Sequence, residues 1–63
     1  MNLYLVEFML TNCEEAHEIV AAINSTEAEK IVCNRFKNQI LLSTIYAERI
    51  EFVDGYIVVL KKG

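Results

Sequence analysis

Three side chains in this sequence could do metal or nucleophile chemistry: Cys13, His17 and Cys33. Set on a helix, Cys13 and His17 would stand at i and i+4 on one face, and a third ligand from Cys33 would leave zinc an open position of the catalytic kind. The spacing argues against that site, because no C-x-x-C pair is present and zinc ligands are normally gathered at tighter intervals. A thiol and imidazole acting as nucleophile and base would also need a cleft and an orienting third group, which a small single sheet does not readily supply. Cys33, next to Ile31 and Val32, reads instead as a small boundary residue, and Cys13 as a turn residue. No metal, no cofactor and no catalytic residue is expected, and the chain is not read as an enzyme.

The acids and aromatics are the other candidates. Glu14, Glu15 and Glu18 cluster, whereas Glu27, Glu29, Glu48, Glu51 and Asp54 are spread. Paired carboxylates divide acid and base roles only where their surroundings separate their pKa values. A solvated face, with Glu27 and Glu29 at a helix N-terminus, accounts for most of them. Glu14, Glu15 and Glu18 remain a candidate acidic surface for a protein partner, where charge complementarity raises on-rate and specificity. Tyr4, Tyr46, Tyr56, Phe8, Phe36 and Phe52 could stack on bases, but sheets that bind single strands pair aromatics with a basic groove. Here six Lys and Arg face nine Asp and Glu, for a net charge of −3, and the one close basic pair is Lys61-Lys62. Nucleic acid is therefore not the expected partner, and a nucleic-acid or small-ligand module built on an aromatic sheet face is the alternative reading.

With 63 residues the chain makes one domain, in the size range where stability is marginal and help comes from disulfides, a metal or self-association. Two cysteines do not make a disulfide scaffold, and "MNLYLVEF" lacks the basic start and long apolar core of a signal peptide. No apolar run approaches the roughly 20 residues that span a bilayer. A soluble cytoplasmic protein with no membrane association is expected. With hydrophobic residues making up 54% of the chain, it should fold.

The elements that must position these residues follow from periodicity. "LYLVEFMLT" (residues 3–11) carries an apolar even row, Tyr4, Val6, Phe8 and Leu10, and reads as a strand whose odd row is also largely apolar. Residues 13–24 are ambiguous. Ala16, Ile19, Val20 and Ile23 suit a helix, whereas His17, Ile19, Ala21 and Ile23 alternate as in a strand. "STEAEKIVCNRFK" has a Thr26-x-x-Glu29 capping box, acids first, bases last and a stripe of Ala28, Ile31, Val32 and Phe36, so it is a helix. A strand feeding that helix needs only a short polar step at Asn24-Ser25, which favours the strand reading of 13–24. Residues 38–52 could also show a helical face, but Asp54-Gly55 between apolar runs is a hairpin signal that pins their second half. The turn sets Phe52 opposite Ile57, Ile50 opposite Val59 and Glu48 opposite Lys61. The expected fold is α+β, a small antiparallel sheet in the order β-β-α-β-β with one helix on one face. The alternative, with residues 13–24 helical, is β-α-α-β-β.

One helix of about 12 residues is about 18 Å long and covers one sheet face at most. An uncovered apolar face marks an interaction site, and a homodimer is the default occupant. The expected self-association surface is Tyr56, Val58 and Leu60, with Leu3 and Leu5, and the other hairpin row (Ile50, Phe52, Ile57 and Val59) would then meet the helix, although the sequence alone does not decide which row does. Over "YLVEFMLTNCEEAHEIVAAINSTEAEKIV" the chain resembles very short proteins of phages and mobile elements, in which a hairpin leads through a Ser/Thr-Glu step into one helix. That resemblance, of size and architecture over about half the chain, implies stoichiometric binding to a host protein, as in inhibitors of bacterial defence systems.

Overall fold

In the computed structural model, which describes residues 1–60, the apolar even row of the first strand is the centre of the molecule. The elements are β1 (Asn2–Met9), β2 (Glu15–Ala22), α1 (Ser25–Arg35), one 3₁₀ turn (Leu42–Thr44), β3 (Tyr46–Val53) and β4 (Tyr56–Val59). All strand pairs are antiparallel, in the order β2-β1-β3-β4. This is the expected β-β-α-β-β fold, with residues 15–22 a strand and the helical alternative overturned.

The reason lies in the turn before β2. Leu10, Thr11, Asn12, Cys13 and Glu14 close a tight loop in which Cys13 N–H donates to the Leu10 carbonyl and Leu10 N–H donates to that of Glu14, both at 2.8 Å. Asn12 Oδ1 accepts from Glu14 N–H at 3.0 Å, a local bond that favours a turn over a helix. Cys13 carries the left-handed residue of the loop, at φ 69°. The chain therefore reverses, and β2 pairs along all of β1, from Asn2 with Ala22 to Met9 with Glu15.

The helix begins two residues earlier than the Thr26-x-x-Glu29 box would place it. Asn24, in an extended conformation, is the N-cap, and its side chain accepts from Glu27 N–H at 2.8 Å. Glu27 Oε1 in turn accepts from Ile23 N–H at 3.2 Å. Asparagine is among the best N-cap residues, and starting here keeps the connection from β2 minimal. Ala28 and Val32 are fully buried against Tyr4, Val6, Phe8, Val20, Ala22 and Ile40, with Ile31 and Phe36 packed at the margin. Phe36 and Phe8 meet at a ring separation of 5.4 Å, a tilted aromatic pair.

After the helix, residues 39–41 run beside the end of β1: Thr11 N–H donates to the Gln39 carbonyl and Leu41 N–H to that of Met9, each at 2.8 Å. The 3₁₀ turn then interrupts this ladder before β3 resumes it. Thr44 closes the gap, its Oγ1 accepting from Met9 N–H at 2.9 Å and donating to the Leu41 carbonyl at 2.6 Å. Without that hydroxyl the Met9 amide would lose its partner, at a cost of about 1 kcal/mol.

The final hairpin has the expected register, with Phe52 opposite Ile57 and Ile50 opposite Val59. Asp54 and Gly55 both have positive φ, 50° and 83°, as a type I′ turn requires. The expected pairing of Glu48 with Lys61 lies outside the described residues. Among those residues α1 packs on β1, β2 and β3 but not on β4, so the hairpin projects beyond the helix and lengthens the molecule to 34 × 22 × 21 Å.

Two substitutions separate the capping alternatives. Asn24→Ala should cost about 1 kcal/mol, which lowers the thermal midpoint of a domain this size by roughly 4–8 °C, while Thr26→Ala should change it little; a melt of each by circular dichroism decides. Cys13→Gly or Cys13→Asn should raise stability by roughly 0.5–1 kcal/mol, because both residues tolerate the left-handed conformation better than cysteine; urea titration reads this directly.

Candidate functional site: the helix-free face of the sheet

Strand register decides which side chains share a face, since directly opposed residues of an antiparallel pair point the same way. Leu3 is opposed by Ala21 on one side and Ile50 on the other, and Ile50 by Val59. Leu5 is opposed by Ile19 and Glu48, and Glu7 by His17 and Tyr46. These rows lie on the face away from α1, since the alternate residues Tyr4, Val6 and Phe8 form the core under the helix.

This corrects the expected hairpin faces. Ile50, Phe52, Ile57 and Val59 lie on the helix-free face with Leu3 and Leu5, whereas Tyr56 and Val58 are opposed by Val53 and Glu51 on the face of the helix. Leu60 belongs with them, as its N–H donates to the carbonyl of Arg49, which is opposed by the core residue Tyr4. The five residues expected to form one self-association surface are therefore split between two faces. The physical reason is parity. β3 follows an irregular segment with a 3₁₀ turn, and the number of residues in that excursion sets which row of the hairpin joins which row of β1.

The helix-free face is apolar at its middle. Ile19, Tyr46, Phe52 and Ile57 are exposed by 38, 59, 53 and 47%, and Leu3, Leu5 and Met9 are half-buried. Ile50 stands apart: it is 1% exposed although no helix covers it, closed in between its cross-strand neighbours Leu3 and Val59. Leu5, Glu7, Met9, His17, Tyr46 and Ile57 line a shallow open concavity of about 660 Å³. Its charge is of one sign. Glu7, Glu15 and Glu48 stand on this face, and none of its described residues is Lys or Arg.

The acidic cluster read from the sequence is dispersed. Glu15 lies on the helix-free face, Glu14 is in the turn, and Glu18 is on the other face, where its Oε1 accepts from the Arg35 guanidinium at 3.1 Å. That pair is largely solvent-exposed and contributes little to stability. The three metal-capable side chains are also apart: Cys13 is in the first turn, His17 on the helix-free face of β2 and Cys33 on α1. Among the described residues no group of three His, Cys, Asp or Glu is placed to hold a metal ion. The aromatics are divided too. Tyr4 and Phe8 are buried and Phe36 packs beside them, which leaves Tyr46 and Phe52 on the helix-free face and Tyr56 on the opposite side of the hairpin.

Sequence reasoning did not single out Ile19 and Tyr46 as parts of this face, or Thr44 as the residue that repairs the strand break. The alternation His17, Ile19, Ala21 was the available signal, and it becomes informative once the Leu10–Glu14 turn sets Leu5 against Ile19. No protein-family model matches this chain, and no curated protein or solved structure matches it. Among the described residues no helix is long and apolar enough to cross a membrane.

The burial contrast on this face is measurable. Ile50→Ala should cost about 2–4 kcal/mol, as for a buried large-to-small change, and Ile57→Ala less than about 1 kcal/mol. Equal costs in urea unfolding would mean that Ile50 is no better enclosed than the hairpin tip.

Proposed function

We propose that this protein works by binding other protein surfaces, without catalysis of its own, and that it does so as a homo-oligomer. The observation that carries the reading is the large apolar surface which α1 leaves bare: Ile19, Tyr46, Phe52 and Ile57 on the helix-free face, and Val53, Tyr56, Val58 and Leu60 on the hairpin beyond the helix. A chain this small gains little from leaving such area in water, and patches of this kind mark interaction sites.

The acids bordering the helix-free face suit a partner that offers an apolar segment flanked by Lys or Arg. The nucleic-acid alternative has less support, since phosphate contact depends on Lys and Arg and none of the described residues of this face is either. The resemblance of the sequence to short phage and mobile-element proteins supports a cytoplasmic protein that acts stoichiometrically on a host protein.

The test is native mass by light scattering during gel filtration, at several protein concentrations and two salt levels. A mass of two or more chains at high concentration, unchanged by salt, is the expected result. A monomer at every concentration would overturn the homo-oligomeric reading.

A further inference from the structure

The helix-free face is a poor place for a second copy of the same chain. A two-fold stack of two such faces would bring Glu7, Glu15 and Glu48 into one low-dielectric layer with their own duplicates, and no Lys or Arg of the described face would offset them. The sheet edges are different. β2, one edge strand, carries Glu15 and Glu18, and Arg35 reaches across to Glu18, the kind of charged edge that resists pairing. β4, the other edge, is Tyr56, Ile57, Val58 and Val59, followed by Leu60: no charge and no proline.

The outward backbone groups of β4 can be identified. Leu60 N–H donates inward to Arg49, so by alternation Tyr56 and Val58 also turn their amides toward β3, and the N–H and C=O of Ile57 and Val59 point out of the sheet. We propose that the second copy pairs with this edge, β4 against β4 antiparallel, about a two-fold axis at Val58. The assignment rests on the homo-oligomeric reading above.

With the axis at Val58, Ile57 of each chain exchanges both backbone hydrogen bonds with Val59 of the other, which satisfies all four outward groups of each strand. Val58 meets its own copy, and Tyr56 lies across from Leu60. Among the described residues every cross-interface pair is apolar, and no like charges are opposed. Moving the axis to Ile57 would set Val59 against the turn residue Gly55 and leave Leu60 beyond the ladder, so Val58 is the register that uses the whole edge. The product is one eight-stranded sheet with both helices on one side. Its other side is a continuous helix-free face of twice the area, and it remains open to a basic partner. The residues expected at the outset to meet across a dimer, Tyr56, Val58 and Leu60, do meet in this arrangement, while Leu3 and Leu5 stay on the open face. A contact of a few residues per side is at the small end of interfaces, so the dimer should be concentration-dependent.

Disulfide trapping tests the register. In a Cys13→Asn, Cys33→Ala background, Val58→Cys should form a covalent dimer on mild oxidation, because a non-hydrogen-bonded pair at the axis has Cα atoms about 4.5 Å apart, within the roughly 4.4–6.8 Å a disulfide spans. Tyr56→Cys should link at least roughly tenfold less, its two copies being four residues, or about 14 Å, apart along the ladder. Val58→Glu should give a folded monomer by circular dichroism and light scattering, since it sets two carboxylates together at the axis of an otherwise exposed strand. If the parent protein is a dimer but Val58→Cys links no faster than Tyr56→Cys or Ile19→Cys, or Val58→Glu stays dimeric, the β4 interface is wrong and the homo-oligomeric reading stands. If the parent protein is monomeric at every concentration, both fall.

Discussion

The packing of Tyr4, Val6 and Phe8 beneath one helix is the constraint on which the rest depends. β1 is an interior strand hydrogen-bonded on both edges, to β2 along one and to β3 and residues 39–41 along the other. Its even side chains are buried together with Val20 and Ala22 from β2 and Ala28 and Val32 from α1. Burying a side chain such as Val6 or Phe8 is worth about 1.5–3 kcal/mol relative to exposure, so a few residues carry much of what holds so small a domain together. Once that row is turned toward the helix, pleating turns Leu3, Leu5, Glu7 and Met9 the other way. The helix-free face is thus a geometric consequence of the core.

The same economy explains where the chain spends polar side chains. Asn24 and Glu27 close the helix entry, Asn12 ties the first turn, and Thr44 satisfies a backbone amide where the strand is broken. None of the described side-chain polar atoms is buried without a partner, as is usual for buried polar groups. The side chains with reactive chemistry are separated by turn, sheet and helix. What the fold concentrates instead is apolar surface on the helix-free face and along the β4 edge. These two surfaces differ in kind: one is bordered by carboxylates, and the described residues of the other are uncharged.

Much of this was legible in the sequence, for local reasons. The β-β-α-β-β order followed from period-two and helical patterns whose lengths fit their elements, and the last hairpin from Asp54-Gly55, because a two-residue type I′ turn sets pairing by arithmetic. The strand at 15–22 was harder, because Ala16, Ile19, Val20 and Ile23 fit a helix as well as a strand. The deciding bonds, at Asn12 and Cys13, are those of a loop without glycine. The N-cap was misplaced by two residues because Thr26-x-x-Glu29 and Asn24-x-x-Glu27 both fit the pattern, and only the path of β2 selects between them.

By itself the sequence determined the fold class, the composition of the core stripe, the turn at Asp54-Gly55, and the fact that one helix could not cover two apolar faces. Those properties depend on neighbours within a few residues and on total length. Only the tertiary structure decided which face is bare and which acids stand on it, separating Leu3 and Leu5 from Tyr56 and Val58 and gathering Glu7, Glu15 and Glu48 on one face. Those outcomes hang on strand register, and register here is set across long sequence separations by an irregular loop and a 3₁₀ turn. A shift of one residue in either would exchange the two faces of everything that follows.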